Sequence, residues 1–384
     1  MSAAPHPDPC ALCGGALQAL ATPAPARAIL SDGRILNMAL EKASCPCCGL
    51  LAHRRLPDDA TIRGAYADDY ALSAASPAAD LARARAYAAL LADVLAPAAR
   101  VLEIGCGSGN LLHTLATAWP QATFLGLDPA LPPGVAGHAR IRFHRGFFDA
   151  LPAQPQGAAF DLIFSINVIE HLPSPQQFFA QAAALLAPGG RLAIVCPAAL
   201  PPNVELLFFD HLYTFSTPAL AAAAASAGLV AVASEERLPD LGDFQLALFV
   251  RGAAAAPPAP ARAAAARLLR LRGDYLAAWA GLDASLLERL PAGARVAIFG
   301  AGQMAALLRA YAPRLWERAE LLVVDSVGDA WQLDKPLLSY AAAPRRLAGY
   351  HVLIATAPRA QAAVARRLAA DGLAAVRFDD LIPA

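Results

Sequence analysis

The chain has 384 residues, which is long enough for two or three domains. Its formal net charge is zero and only 16% of its residues are charged, so it lacks the basic field with which proteins hold nucleic acid. Because it has no uncharged apolar run of membrane-spanning length, no signal-peptide core and clustered cysteines, we expect a cytoplasmic protein that binds neither nucleic acid nor membrane.

Four of the seven cysteines form two C-x2-C pairs near the N-terminus. The pairs are Cys10 with Cys13 and Cys45 with Cys48. Together they supply the four thiolates of a structural zinc site, and a segment of about 50 residues buries little core without such a metal. We predict a zinc-binding domain over residues 1–60. Cys47 is an alternative ligand, and a redox role for the first pair is the other interpretation.

A glycine-rich loop follows an apolar run at residues 101–104. Glycine occupies every second position from Gly105 to Gly109, and a helix-like pattern follows. Glycine lets a loop turn tightly and lets its backbone approach a ligand closely, and the first turn of the next helix offers unpaired N–H groups. The following strand-like segment ends in Asp128, whose carboxylate suits two ribose hydroxyls.

Two further segments complete an α/β pattern. Residues 160–171 predict a buried strand that runs into the polar loop Asn167-Val168-Ile169-Glu170-His171. Residues 186–195 predict a Pro-Gly-Gly turn and another strand. With the glycine loop, Asp128, this strand and the Pro-Gly-Gly turn in this order, the chain resembles the class I S-adenosylmethionine-dependent methyltransferases over roughly residues 100–250. An oxidoreductase-type Rossmann unit is the alternative, which the Pro-Gly-Gly turn and the polar loop disfavour.

This resemblance implies that S-adenosylmethionine is bound at the ends of the strands. The residues expected to bind it are Glu103, Gly105, Gly107, Gly109, Asp128, Phe148, Asp149 and Asn167. The loop would hold the methionine part, Asp128 the ribose, and Phe148 with Asp149 the adenine edge.

Two polar segments carry the candidate catalytic groups. One contains His171, and the other is Asp210-His211 in an aromatic-rich stretch before a helix-like segment. An Asp beside a His raises its basicity if the side chains meet. A Glu-His pair occurs in methyltransferases of many substrates, and Asp210-His211 also fits a helix cap. Tyr70 precedes the core and either covers the cofactor or is an ordinary linker residue.

The C-terminal part predicts a second Rossmann-like unit. An Ala/Pro tract and an amphipathic helical pattern predict a linker and bridging helix over residues 253–290. Residues 291–384 then contain a strand, the loop Gly300-Ala301-Gly302 and a second strand that ends in Asp325. This unit either binds NAD, as an oxidoreductase would, or only positions the nucleotide of a substrate.

In its order of parts, the chain is similar to the nucleotide-sugar C-methyltransferases, which methylate the carbon beside a keto group. That resemblance implies that Asp210-His211 is the base for enolisation, that His171 is a second acid–base group and that Tyr70 lies beside the cofactor. Phe208, Ala71-Leu72-Ser73 and Gln303-Met304 depart from the family pattern. O- or N-methylation of another small molecule and a non-catalytic scaffold are therefore the alternatives.

The sequence thus predicts an α/β protein of three domains. A Rossmann-like methyltransferase core over residues 61–252 would lie between the zinc-binding domain and a C-terminal Rossmann-like domain. The expected cofactors are S-adenosylmethionine and structural Zn²⁺, and the expected partner is a small molecule, a nucleotide-activated sugar.

Overall fold

The computed structural model describes residues 9–66, 70, 77–151, 159–238, 241–252, 262–329, 331, 333–343 and 345–382. The family departure predicted at Ala71-Leu72-Ser73 and the Ala/Pro tract at 253–261 lie outside these residues. Among the described helices, none combines the length and the apolar composition needed to cross a membrane.

The strands and helices follow the predicted alternation through most of the chain. The strands are β1 (Gln18–Ala19), β2 (Ala28–Ile29), β3 (Ile35–Leu36), β4 (Lys42–Ser44), β5 (Leu51–His53), β6 (Arg100–Ile104), β7 (Thr123–Asp128), β8 (Ile141–Arg145), β9 (Phe160–Ile166), β10 (Leu186–Pro197), β11 (Tyr213–Thr214), β12 (Leu229–Glu235), β13 (Phe244–Arg251), β14 (Arg295–Phe299), β15 (Ala319–Val324), β16 (Leu337–Ser339), β17 (Tyr350–Ile354) and β18 (Ala374–Arg377). The helices are α1 (Asp59–Ala65), α2 (Pro77–Leu91), α3 (Asn110–Ala118), α4 (Pro175–Leu185), α5 (Thr217–Ala225), α6 (Arg262–Glu288), α7 (Gln303–Tyr311), α8 (Pro313–Arg318) and α9 (Pro358–Ala370).

The chain divides into two compact units. The first comprises residues 1–19, 42–205 and 210–270, and the second comprises residues 20–41, 206–209 and 271–384. The predicted 1–60 segment is therefore shared between the units. The β2–β3 hairpin belongs to the second unit, where Ile29 bridges to Phe208 and its carbonyl accepts from the N–H of Phe209 at 2.8 Å.

A seven-stranded sheet forms the centre of the first unit, in the order β12-β13-β10-β9-β6-β7-β8. Strands β6 to β10 pair in parallel, and β13 runs antiparallel to both β10 and β12. The inner strands are buried over almost their whole length, as expected for a parallel sheet with both faces covered. This is the Rossmann-like α/β sheet that the sequence predicted.

A small antiparallel sheet in the same unit has the order β1-β4-β5-β11. Its first three strands lie in the cysteine-rich N-terminal segment, whereas β11 follows Asp210-His211. The N–H of His53 donates to the carbonyl of Leu212 at 3.2 Å, which extends the pairing of β5 and β11 by one bond. The sheet therefore joins the cysteine-rich segment to the second predicted catalytic segment.

The second unit contains a five-stranded parallel sheet in the order β16-β15-β14-β17-β18. A Cβ atom on Gly300, whose φ is +124°, would lie 2.3 Å from the carbonyl oxygen of Ala355. Glycine is thus required here for packing between strand ends. Asp325, the expected ribose ligand of an NAD site, forms a 2.9 Å ion pair with Arg367.

Candidate functional site

The glycine loop connects β6 to α3, as predicted. Gly105, Gly107 and Gly109 all have positive φ angles, of +81°, +51° and +76°. A Cβ atom on Gly105 would lie 2.2 Å from a methyl carbon of Val168. The loop therefore requires glycine both for its backbone conformation and for its contact with the segment after β9.

Asp128 ends β7 and faces this loop. Its Oδ2 accepts from the N–H of Gly107 at 2.8 Å, and its Oδ1 accepts from the N–H of Ala130 at 2.8 Å. Each carboxylate oxygen has a second lone pair, so each can still accept a hydrogen bond from a hydroxyl group. Burial raises the pKa of Asp128, and the two N–H donors oppose this shift. The arrangement fits a pair of ribose hydroxyls.

A cavity of about 330 Å³ opens beside the loop. The predicted site residues that line it are Tyr70, Glu103, Gly105, Gly107, Asp128, Phe148, Asp149, Asn167 and His171. Asp210 and His211 are buried and are not among the described residues of this lining. Of the candidate acid–base groups, His171 is thus the one that borders the cavity.

Two orphaned polar atoms in the wall test the fit of a cationic cofactor. Glu103 is 3% exposed, and its Oε2 has no hydrogen-bond partner among the described residues. Oδ1 of Asn167 also has no hydrogen-bond partner among the described residues. The backbone of Asn167 is left-handed, with a φ of +55°. Burial, together with the charge of Asp128, raises the pKa of Glu103 well above its usual value. Each of these acceptors would gain a partner from a hydrogen-bond donor, such as an ammonium group, bound beside it.

The predicted adenine side is formed by a turn after β8. Phe148 is buried against Phe178, with ring centroids 5.5 Å apart, and its carbonyl accepts from Gln181 at 2.6 Å. The carboxylate of Asp149 forms a close ion pair with Arg63 of α1. The carboxylate of Asp149, which the sequence placed at the adenine edge, thus also pairs with Arg63, a cation that the sequence did not indicate.

His171 is held by two groups from distant parts of the chain. Its Nδ1 lies 2.8 Å from the carbonyl oxygen of Asp210 and 2.6 Å from the hydroxyl of Tyr66. Because a carbonyl only accepts, this Nδ1 carries a hydrogen and Nε2 carries the lone pair. The hydroxyl of Tyr66 donates to the carboxylate of Asp210 at 3.4 Å, and that carboxylate lies 3.7 Å from Nδ1.

His211 packs behind His171 in a T-shaped contact, with ring centroids 4.6 Å apart. Its Nδ1 lies 3.3 Å from Oε2 of Glu205, a residue that the sequence did not single out. Burial and the neighbouring cations lower the pKa of His211 well below its usual value. The helix cap considered for Asp210-His211 is supplied by Ser216, whose hydroxyl accepts from the N–H of Ala219 at 3.3 Å.

The four predicted zinc ligands converge. The sulfur atoms of Cys10, Cys13, Cys45 and Cys48 all lie within 4.8 Å of one another. Cys10 is 3.5 Å from Cys48, and Cys13 is 3.4 Å from Cys45. A tetrahedron with Zn–S bonds of about 2.3 Å has sulfur atoms about 3.8 Å apart, so the group fits zinc after a small expansion. Cys47 is exposed and outside the group.

A second group of ligand-type atoms occurs at the acid–base site. Glu170, His171 and His211 each bring one such atom within 4.8 Å of the others. The buried amine of Lys42 contacts the carbonyl of His211. A dication bound there would lie close to this amine, so we assign only the four cysteines as a metal site.

Comparisons with known proteins match the central part of the chain to methyltransferases. A family model for a methyltransferase domain matches residues 78–234. The trans-aconitate 2-methyltransferase of Methylobacterium nodulans is 39% identical over 127 residues, which are 32% of this chain and 46% of that protein. The ubiquinone biosynthesis O-methyltransferase of Xanthomonas campestris is 33% identical over 106 residues, 26% of this chain and 44% of that protein. The chain thus spans less than half the length of these relatives.

Among solved structures, an S-adenosylmethionine dependent methyltransferase from Mesorhizobium loti aligns with 43% of this chain and 97% of its own chain, at 19% identity and a TM-score of 0.36. The matched residues 78–234 contain the glycine loop, Asp128 and His171. The family model thus identifies residues 78–234 as a methyltransferase domain.

Proposed function

We propose that the whole chain is an S-adenosylmethionine-dependent methyltransferase whose acceptor is a small molecule that loses a proton during the reaction. The observation that supports this most directly is one cavity lined by the glycine loop, Asp128 and His171. Sites for the cofactor and for a base thereby adjoin the same space. Methyl transfer requires this proximity, since it is an in-line displacement whose rate depends on alignment.

The residues assign a place to each part of the cofactor. Glu103 and Asn167 would bind the ammonium, Asp128 the two ribose hydroxyls, and Phe148 with Asp149 the adenine. When bound, S-adenosylmethionine supplies an electrophilic methyl group on a sulfonium. The loop glycines have positive φ angles and carry no Cβ atom, so the loop backbone can approach the cofactor closely.

His171 is the proposed general base. Its Nδ1–H donates to the carbonyl of Asp210, so Nε2 is free to take a proton from the acceptor. Burial lowers the pKa of His171, and the Asp210 carboxylate opposes this effect. A neutral imidazole at neutral pH follows. His211 and Glu205 lie behind this base, and Tyr66 orients it together with Asp210.

For the acceptor, we propose the carbon beside the keto group of a nucleotide-activated sugar. Support comes from the order of the parts along the sequence and from a buried base suited to enolisation. O-methylation is the second candidate, because one relative is named a ubiquinone biosynthesis O-methyltransferase. Exchange of solvent deuterium into a ketosugar without methyl donor would favour the first. Methylation of a hydroxyl acceptor without any such exchange would favour the second.

We further propose that the four cysteines bind a structural zinc ion. Four thiolates leave no open position for a substrate, which argues against a catalytic role. For the C-terminal unit, the ion pair between Asp325 and Arg367 disfavours NAD binding. Quenching of protein fluorescence by NAD would contradict this.

Calorimetric titration with S-adenosylmethionine, alone and with a panel of ketosugars and hydroxyl acceptors, tests the proposal. We expect micromolar donor binding that one acceptor class strengthens. His171→Gln and Asp210→Asn should lower the rate of methyl transfer by about 10²–10⁴-fold and leave donor binding within about twofold. His138→Gln, at an exposed histidine, is the matched control. A chain that binds no donor would instead be a scaffold that keeps only the fold.

A further inference from the structure

Lys42 and Lys335 are the only two lysines among the 31 basic residues of this chain. Lys42 lies on β4 and is 1% exposed. Lysine is almost never fully buried unless it is paired, since removing an ammonium from water is unfavourable. Among the described residues, no carboxylate forms an ion pair with Lys42. Its Nζ instead donates to the carbonyl of His211 and lies 3.2 Å from Nε2 of His53.

We propose that Lys42 is a positioning residue of the acid–base site. Its amine fixes the backbone of residues 210–212 against His171, and its positive charge favours the unprotonated imidazole. This inference rests on the proposed role of His171 as the general base. It assigns a function in that site to a side chain from the cysteine-rich segment.

The backbone geometry supports the positioning role. Three successive carbonyls each accept a hydrogen bond from a different element. That of Asp210 accepts from His171 at 2.8 Å, that of His211 accepts from Lys42, and that of Leu212 accepts from the N–H of His53 at 3.2 Å. Removal of the lysine would take this donor away from the carbonyl of the buried His211. Because a buried acceptor that loses a hydrogen-bond donor is unfavourable, the segment would rearrange.

Charge supports the electrostatic role. Burial lowers the pKa of Lys42 to about 7, and the carboxylate of Asp210 opposes this shift. Burial also lowers the pKa of His171, and the charge of Lys42 acts in the same direction while Asp210 acts against it. Removal of the amine should therefore raise the pKa of His171.

Other titratable groups also face this histidine. Glu170 lies 4.0 Å from Nε2, and Tyr66 and His211 contact the ring. Burial raises the pKa of both Glu170 and Tyr66 well above the usual values. Burial thus favours the uncharged form of each group. His53 lies behind Lys42, and Glu205 lies behind His211. Lys42 and Asp210 are thus the groups of opposite charge that influence His171 most directly.

The test compares Lys42→Met with Lys335→Met in the full chain. In protein labelled with ¹⁵N-histidine, and with His171 assigned by His171→Gln, we expect Lys42→Met to raise the titration midpoint of His171 by at least half a pH unit. Methyl transfer should fall by about tenfold or more, with donor affinity within about twofold and the acidic limb of the rate profile displaced to higher pH. Lys335→Met should change none of these.

A folded Lys42→Met protein with an unchanged His171 midpoint and an unchanged rate would overturn the proposal. If that variant fails to fold, ¹³C-labelled lysine in the native chain gives two resonances, which Lys335→Arg assigns. Lys42 should then titrate near pH 7, and a midpoint at the ordinary lysine value of about 10.4 would overturn the proposal. If no acceptor is methylated at all, the proposed function fails. The histidine titration still decides the role of the lysine.

Discussion

The carboxylate of Asp210 lies 3.7 Å from Nδ1 of His171, although the two residues are 39 positions apart. The next residue along the chain, His211, turns its Nδ1 toward Glu205 instead. The site therefore contains two acid–imidazole pairs, whose rings meet edge to face. His171 is the one that borders the cavity, and this makes it the better candidate for contact with an acceptor.

Asp128→Asn should weaken donor binding. The amide keeps the size of the side chain but directs an NH₂ group toward either the loop N–H or the ribose, so one acceptor is lost. We expect a loss of affinity for S-adenosylmethionine of about 10–100-fold by calorimetry, since hydrogen bonds to charged groups contribute about 1.5–3 kcal/mol. Asp161→Asn, at a half-buried acid at the start of β9, is the control. Equal affinities of the two variants would contradict the ribose assignment.

Gly105→Ala and Gly189→Ala separate steric overlap from backbone strain. Both glycines have similar φ angles, +81° and +76°, but a Cβ atom at Gly189 would meet nothing within 4 Å. Gly189→Ala should therefore lower the free energy of unfolding by only about 1 kcal/mol. At Gly105 the overlap with Val168 adds to the strain. Urea denaturation should therefore show that Gly105→Ala lowers the free energy of unfolding at least twice as much as Gly189→Ala. Equal losses would show that the contact relaxes freely.

Cys45→Ser should remove the bound metal. One thiolate of the four is lost, and structural zinc contributes on the order of 10 kcal/mol to folding in small domains. Elemental analysis should find about one zinc per native chain and far less in this variant, with a lower melting temperature. Cys47→Ser lies two residues away but outside the group of four, and should keep its zinc. Loss of metal in the second variant instead would identify Cys47 as the ligand.

Glu205→Gln should change how stability depends on pH. Burial, assisted by the charges of Asp210 and Asp243, raises the pKa of Glu205 from about 4.5 in the unfolded chain to about 7. Between these values the folded state binds more protons, so this group lowers the free energy of unfolding as pH rises from 4.5 to 7. The free energy of unfolding of the native protein minus that of the variant should fall by at most about 1.4 kcal/mol per pH unit in that window. The Glu235→Gln variant, at an exposed glutamate, is the control.

The sequence by itself determined the elements whose chemistry depends on local spacing. Alternate glycines after an apolar run indicated the loop between β6 and α3, and the carboxylate at the end of the next strand indicated Asp128. Two C-x2-C pairs indicated the group of four sulfur atoms. In each case a few neighbouring residues specify the backbone geometry, so their pattern can be recognised without knowledge of the fold.

Only the tertiary structure decided which side chains surround His171. Tyr66 and Asp210 reach it from 105 and 39 positions away, and Lys42 reaches the carbonyl of His211 from 169 positions away. Nothing in the pattern around these residues signals the contacts, because they depend on the register between β5 and β11 and on the position of α1. The fold likewise turns Nδ1 of His211 toward Glu205, six positions away, and not toward the adjacent Asp210, which the spacing of the two neighbours could not indicate.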